Sequence, residues 1–151
     1  MSVDEIRQAD AADYDVIAAV VSEWWGRDVL TSLPRLFLNH FHTTSLIAEN
    51  DGVMVGFLIG FYSPSKSGEA YIHFVVVDPT HRHGGLARRL YAKFLDEAAR
   101  TGVRIVRAIT SPGNDGSITF HRRMGFEVSG PDTEYNGPGR DMVTLTLRLA
   151  E

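Results

Sequence analysis

Apolar residues recur along this chain in two rhythms, one close to four and one of two, and the changes between them predict the order of elements. Val3 to Gln8 reads as a short strand. From Asp10 onward, Tyr14, Ile17, Ala18 and Val21 fall at the i, i+3, i+4, i+7 spacing of one buried helix face, and Gly26 ends that helix. Past Pro34, the residues Leu36, Phe37, His40 and Phe41 suggest a second short helix. Thr44 to Glu49 and Val53 to Phe61 are strand-like runs around Asn50-Asp51-Gly52, three residues that tolerate the positive φ of a tight hairpin. A loop from Tyr62 to Gly68 follows. Ala70 to Val77 is apolar at nearly every position, which predicts a central strand covered on both faces.

Asp78-Pro79 stops that strand, and the period then changes. From Gly85 to Thr101, Leu86, Leu90, Phe94 and Ala98 recur every four residues, Tyr91 and Leu95 widen the stripe, and Gly102 caps the end. Val103 to Thr110 reads as a strand, Asn114 to Met124 as a short helix and Phe126 to Ser129 as a strand. After the loop GPDTEYNGPGR, Met142 to Leu149 alternates as a last strand. The predicted order βααβββαβαββ is that of a mixed α/β protein with helices on both faces of a central sheet. At 151 residues the chain suits a single domain, 1–151, able to bury roughly two-thirds of its unfolded surface.

Composition narrows the chemistry. There is no cysteine, which removes disulfides, thiolate nucleophiles and Cys-held metals together. The start, MSVDEIRQAD, is acidic where a secretory leader is basic and then apolar, and no apolar run approaches the ~18 residues of a membrane span. A cytoplasmic protein with no membrane partner is expected. The net charge of −4 hides an asymmetry. Residues 81–107 hold Arg82, Arg88, Arg89, Lys93, Arg100, Arg104 and Arg107 against only Asp96 and Glu97. Such a run is either a patch for a polyanion or a set of solvated helix charges.

The junction VVVDPTHRHGGLARRL, residues 75–90, tips the balance toward an anion. A strand runs into a glycine turn and then into an amphipathic helix, so the amides of the turn and the first helical turn lack intrahelical partners. Gly84 and Gly85 allow close backbone approach, the helix dipole adds partial positive charge, and Arg82, Arg88 and Arg89 supply full charges. There is no GxxxxGK[ST] for a nucleoside triphosphate and no GxGxxG for a dinucleotide.

Arg82-His83-Gly84-Gly85-Leu86-Ala87 does match R-x-x-G-x-A, and it resembles the pyrophosphate-binding motif of the GNAT superfamily of acetyl-CoA-dependent N-acetyltransferases. A second segment, Asn114 to Phe126, is similar to the N-x-x-[AS]-x-x-F-Y-x-x-x-G-F stretch of the same superfamily. The resemblance implies a GNAT-like acyl-CoA N-acyltransferase fold with acetyl-CoA as the donor. It also implies that the backbone of Val75, Val76 and Val77 pairs with the pantetheine arm, and that Arg82, His83, Gly84, Gly85, Leu86, Ala87 and Arg88 hold the pyrophosphate. By the same comparison Asn114, Ser117 and Phe120 contact the donor, and Gly125-Phe126 is a helix stop and core anchor. The activity implied is direct transfer of acetyl to a primary amine with both substrates bound together, the oxyanion held by the N–H of Val76 or Val77.

Three catalytic candidates follow. His121 stands where the superfamily usually has tyrosine, the acid that protonates the departing thiolate; an imidazolium can fill that role only with a raised pKa. His73 shares a strand face with Tyr71, Val75 and Val77 and is a candidate base for the amine, with a core histidine as the plain alternative. Glu23, at the end of the first helix, is a candidate acceptor carboxylate. The pairs His40/His42 and His81/His83 lack further ligands in pattern, and no metal is expected. The resemblance puts Glu23, Trp24, Trp25, Phe37, His40 and Phe41 on the two helices that cover the acceptor cleft, and with Tyr62 and Tyr135 on flexible loops they suit a small organic amine rather than a protein lysine or N-terminus, with helix packing as the plain alternative for Trp24 and Phe37. Partners are thus acetyl-CoA and an amine, with no nucleic acid, and a homodimer is carried as an expectation because similar proteins are commonly dimeric. A catalytically silent acyl-CoA-binding or sensor module, or a protein N-terminal or lysine acetyltransferase, is the alternative.

Overall fold

The structure is a computed structural model that describes residues 4–149. Its strands are β1 (Glu5–Gln8), β2 (Leu46–Asn50), β3 (Val53–Tyr62), β4 (Glu69–Val77), β5 (Ile105–Thr110), β6 (Glu127–Asp132) and β7 (Met142–Arg148). Its helices are α1 (Tyr14–Trp25), α2 (Leu36–Phe41), α3 (Leu86–Arg100) and α4 (Asp115–Arg123). The predicted order holds, and the strands form a seven-stranded mixed sheet. The described residues fall into two compact units, residues 4–61 with His73–Glu97 and Tyr62–Ile72 with residues 98–149, and β4 passes from the second into the first.

In the first unit, β1 pairs antiparallel with β2 from Glu5↔Glu49 to Gln8↔Leu46, and β2 pairs antiparallel with β3 from Leu46↔Leu58 to Asn50↔Val53. The hairpin turns on Asp51 and Gly52, both at positive φ, as the Asn-Asp-Gly sequence predicts. One core cluster joins Ile17 and Val21 of α1, Leu38 of α2, Ile47, Phe57 and Ile59 of the hairpin, and Phe74 and Val76 of β4. Period two sends Gly56 and Leu58 to the opposite face of β3. There a Cβ on Gly56 would lie 3.3 Å from the side chain of Leu86, so α3 lies against this second face, where Leu90, Tyr91 and Phe94 are buried as well. The guanidinium of Arg7 bonds both oxygens of Asp13 (2.9 and 2.8 Å) and Oε1 of Glu49 (2.9 Å), tying β1 to the segment that leads into α1. That pairing holds the Asp13 carboxyl below the usual carboxylate range.

In the second unit, the start of β4 pairs parallel with β5 from Glu69↔Ile105 to Tyr71↔Arg107. β7 pairs antiparallel with β5 along its length and with β6 from Glu127↔Thr146 to Asp132↔Met142. On one face Arg107 reaches both oxygens of Glu69 at 3.3 Å and Thr146 Oγ1 at 2.9 Å.

Several boundaries differ from expectation for local reasons. Val3 lies outside the described residues. Residues 11–13 form a 3-10 turn before α1, because the Asp13 carboxylate takes the Asp10 amide at 2.7 Å and tightens the chain there. Thr44 belongs to a 3-10 turn, with its hydroxyl on the carbonyls of Phe41 and Gly60, and the strand starts at Leu46. Pro79–Gly84 is likewise a 3-10 turn, and α3 begins at Leu86. Tyr62 ends β3 rather than standing in a loop, and β6 continues to Asp132. The expectation that β4 is covered on both faces is corrected: Ala70, Ile72, Phe74 and Val76 are buried, whereas Tyr71, His73 and Val75 are only half-buried. The residue types are apolar on both faces, but coverage depends on which elements pack there.

Candidate active site

The strand-to-helix junction is built as the sequence suggests. Asp78 N–H donates to the carbonyl of Val55 at 2.8 Å, so the end of β4 stays anchored to β3 as the chain leaves the sheet. The Asp78 carboxylate then accepts from the Thr80 amide and hydroxyl, each at 2.9 Å, which winds the 3-10 turn and holds this carboxyl below its ordinary range. Gly85 adopts φ +72, a left-handed backbone, and its carbonyl accepts the first intrahelical bond from Arg89 N–H at 3.1 Å. Leu86, Ala87 and Arg88 are therefore the amides that α3 itself leaves for another acceptor.

The two glycines differ in a telling way. Gly85 is required by its backbone, since a Cβ is strained at that φ. Gly84 has no positive φ, and a Cβ there would meet nothing within 4 Å. The fold does not demand glycine at position 84, and the space around the Cβ positions of both glycines is open. Both are exposed, as is His83.

The three arginines of the junction part company. Arg89 donates to the carbonyl of Asp4 at 2.9 Å. Arg82 turns its guanidinium to two carbonyls, Nε to Val77 at 3.3 Å and an Nη to Trp24. Arg88 is exposed and makes no hydrogen bond or ion pair with the described residues, so its full charge is available at the first turn of α3.

Beside the end of β4, in the same unit, aromatic rings surround His73. Its ring stacks on Phe37 with centroids 4.2 Å apart and planes within 4°, and meets Phe74 edge-on at 5.0 Å. Nε2 lies 2.6 Å from the carbonyl oxygen of Ser32. A carbonyl only accepts, so Nε2 carries the proton and, in the neutral ring, Nδ1 carries the lone pair. Burial pushes this imidazole below its usual pKa, with the Ser32 carbonyl opposing, and keeps it neutral at physiological pH. Trp25 packs edge-on to Phe74 at 4.8 Å, and Trp24 lies against the core cluster. Glu23 is exposed on the last turn of α1. His40 is exposed, while His42 bonds the carbonyl of Leu38 at 2.8 Å. No cluster of three metal-ligating side chains occurs among the described residues.

The second unit holds the other candidates. Asn114 caps α4, its side-chain oxygen accepting from the Ser117 amide at 3.1 Å, and its NH2 remains a donor. His121 is buried, 6% exposed, with Phe120 and Phe126 edge-on to its ring at 5.4 and 5.0 Å. Its Nδ1 lies 2.7 Å from the Ser117 carbonyl and so carries the proton. Burial lowers its pKa against that opposing carbonyl. The raised pKa that an imidazolium acid needs is therefore not what this environment supplies. The Tyr71 pKa is instead pushed up, by burial and by nearby Tyr135, so its phenol stays protonated.

Sequence reasoning missed Gly56, whose Cβ would lie 3.1 Å from the carbonyl oxygen of Val76; a glycine inside an apolar strand was the signal. The carbonyls of Ser32 and Trp24 had no signal at all, because every residue carries one.

A glycine turn between the end of a central strand and a helix, in a mixed sheet, is the arrangement that the sequence resemblance implies. Residues 5–126 match the Acetyltransferase (GNAT) family, and the chain belongs to it. It is 35% identical over 98 residues to the L-2,4-diaminobutyric acid acetyltransferase of Nocardia farcinica, across 62% of this chain and 51% of that protein. It is 32% identical over 111 residues to the L-methionine sulfoximine/L-methionine sulfone acetyltransferase of Salmonella typhimurium, across 70% of this chain and 65% of that protein. The chain thus spans between half and two-thirds of the length of these curated relatives. Among solved structures it is similar to yncA of Salmonella typhimurium with acetyl-CoA, with TM-score 0.76 and 27% identity over 99% of this chain and 96% of that one. A GNAT-family structure from Desulfovibrio desulfuricans shares the fold at TM-score 0.86 and 22% identity over 98% of this chain and all of that one (100%).

Proposed function

We propose that the protein, as one catalytic domain working in the cytoplasm, transfers the acetyl group of acetyl-CoA to the primary amine of a small acceptor of the amino-acid type. The observation that carries this reading is the open glycine turn: Gly84 is free of any backbone requirement, Gly85 is left-handed, and Arg88, without a polar partner among the described residues, stands in the first turn of α3. These features fit a pyrophosphate held by the amides around His83, Gly84, Gly85, Leu86 and Ala87 and by the Arg88 charge. The acceptor class is supported by the relatives, named for diaminobutyric acid and for methionine sulfoximine and sulfone.

Bound acetyl-CoA supplies a thioester carbonyl that the amine attacks directly, without a covalent acyl-enzyme. The backbone edge of Val75 to Val77 takes the pantetheine arm, and the N–H of Val76 or Val77 faces the developing oxyanion. Asn114, Ser117 and Phe120 contact the donor. His73 is the base: a neutral imidazole with its lone pair on Nδ1 can take the proton of the attacking amine, directly or through water. Glu23 draws the ammonium form of the acceptor. His121 does not act as an imidazolium acid, and the thiolate, with a reference pKa near 8.5, leaves without needing one.

The buried, neutral His121 at the usual tyrosine position also favours a second reading, a silent acyl-CoA-binding module. Thiol release from acetyl-CoA, measured against L-2,4-diaminobutyrate, L-methionine sulfone, other amino acids, polyamines, arylalkylamines and short peptides, separates the two when acetyl-CoA is titrated on the same sample. Release with amino acids is expected. Binding without release favours the silent module, release with peptides alone moves the acceptor to proteins, and no binding overturns the donor assignment.

A further inference from the structure

We propose that Arg82 is a positioning residue that clamps the C-terminal end of α1 to the donor turn, so that occupation of the turn is transmitted to the helix end carrying Glu23, Trp24 and Trp25. The inference rests on the donor assignment proposed above. The R-x-x-G-x-A resemblance would make Arg82 a pyrophosphate ligand, and two of its guanidinium donors are directed at main-chain carbonyls.

α1 ends abruptly at Gly26, which takes a left-handed conformation and returns its N–H to the Ser22 carbonyl at 3.0 Å. The later carbonyls of the last turn have no intrahelical donor, and they sit at the negative end of the helix dipole. No Lys or Arg stands in that last turn to complement them. Arg82, far along the chain, donates to the Trp24 carbonyl instead. Through Nε it also donates to the carbonyl of Val77, the last residue of β4, at 3.3 Å. The guanidinium is planar and its donors are fixed relative to one another, so the two bonds set one orientation between helix end and strand end.

The backbone of Arg82 is held just as firmly. It lies in the 3-10 turn that Asp78 winds through its bonds to Thr80, three residues before the left-handed Gly85. A ligand that fixes the amides of this turn fixes Arg82, and Arg82 fixes the Trp24 carbonyl. The side chain is exposed, so the bonds add little to global stability. Their consequence is geometric: the turn and the end of α1 cannot shift independently.

The chain itself supplies the reporter, since its only two tryptophans are Trp24 and Trp25. Coenzyme A is titrated into wild type, Arg82→Met, Arg82→Lys and Arg88→Met, with calorimetry for affinity and tryptophan emission excited at the red edge to avoid adenine absorption. Wild type is expected to show an emission change that saturates with the calorimetric Kd. Arg82→Met is expected to keep that Kd within about threefold while losing most of the emission change, Arg82→Lys to retain part of it, and Arg88→Met to weaken binding at least tenfold. Calorimetric binding by wild type with silent tryptophans overturns the clamp. So does an undiminished emission change in Arg82→Met, or a loss of affinity in Arg82→Met as large as in Arg88→Met, which makes Arg82 a direct phosphate ligand. Calorimetric silence in wild type overturns the donor assignment itself, and the clamp with it. If Arg82→Met does not fold, the same comparison is made with Arg82→Lys.

Discussion

The Nε2 of His73 donates to the carbonyl oxygen of Ser32 at 2.6 Å, pinning a side chain of β4 to the 3-10 turn, Leu30–Ser32, that lies between α1 and α2. One bond thereby selects the tautomer of the proposed base and holds the connecting segment. Glutamine can donate to the same carbonyl but cannot accept a proton. His73→Gln should lower kcat by about 10²-fold or more with little change in the KM for acetyl-CoA, and should abolish the acid limb of the kcat/KM profile. That limb should lie below pH 6.5 in wild type, because burial lowers the His73 pKa from that value. A wild-type limb above 6.5, or unchanged turnover in the variant, removes His73 as base.

The same two imidazoles, His73 and His121, make stability pH-dependent. Both have folded pKa values below 6.5, so the unfolded chain binds their protons more readily. Stability is full above pH 6.5 and falls as acid carries the solution down through that value toward the folded pKa values. Asp13 and Asp78, lowered from 3.8, contribute in the same sense, and their stabilisation is lost only at still lower pH. Urea midpoints measured from about pH 8 to pH 5 should therefore decline on the acid side, and the double variant His73→Gln/His121→Gln should give a flatter curve. Identical slopes would show that neither ring is buried in its neutral form.

Gly84 and Gly85 should respond differently to substitution. Gly84→Glu places a charged side chain in open space without backbone strain, so the fold should persist while acetyl-CoA affinity is lost. Gly85→Ala adds no charge but forces an L-residue to φ +72, at a cost of about 1–2 kcal/mol. Thermal melts combined with acetyl-CoA calorimetry distinguish them; a stable Gly84→Glu protein that still binds tightly sinks the turn as the pyrophosphate site.

His121→Phe removes a ring nitrogen that bonds the Ser117 carbonyl but keeps a ring between Phe120 and Phe126. The expected loss is about 1 kcal/mol of stability, with kcat changed by less than about fivefold. A hundredfold fall in kcat at unchanged affinity would restore His121 as the acid.

Gly56→Ala tests the packing behind the site. The new Cβ would stand 3.1 Å from the Val76 carbonyl oxygen, a backbone atom that cannot swing away, and 3.3 Å from Leu86. Overpacking of this kind costs about 1–3 kcal/mol. Because Val76 belongs to the proposed oxyanion edge, kcat should fall along with the melting temperature; destabilisation with full turnover would free that edge from the role.

The order of elements was legible because it depends on local rules that each segment states for itself. The stripe Leu86, Leu90, Phe94 needs a helix, and Asn50-Asp51-Gly52 needs a hairpin turn. The two GNAT motifs were legible for a similar reason, since a glycine turn leading into a helix is a local anion-binding arrangement whose residues are consecutive. The residue set of the junction was thus readable, but the division of labour within it was not. Arg82, Arg88 and Arg89 are equivalent as letters, and only one of them, Arg88, has no polar partner among the described residues.

What the sequence determined by itself is the class of elements, their order, the family and the segment proposed to receive the donor, because periodicity, capping and turn chemistry act over a few residues. Tertiary structure alone decided the protonation of His73 and His121, the half-open face of β4 and the partner of Arg82. The reason is physical: burial depends on which elements pack against a residue, and the groups that fix these side chains, the carbonyls of Ser32, Ser117 and Trp24, belong to a backbone common to all residues.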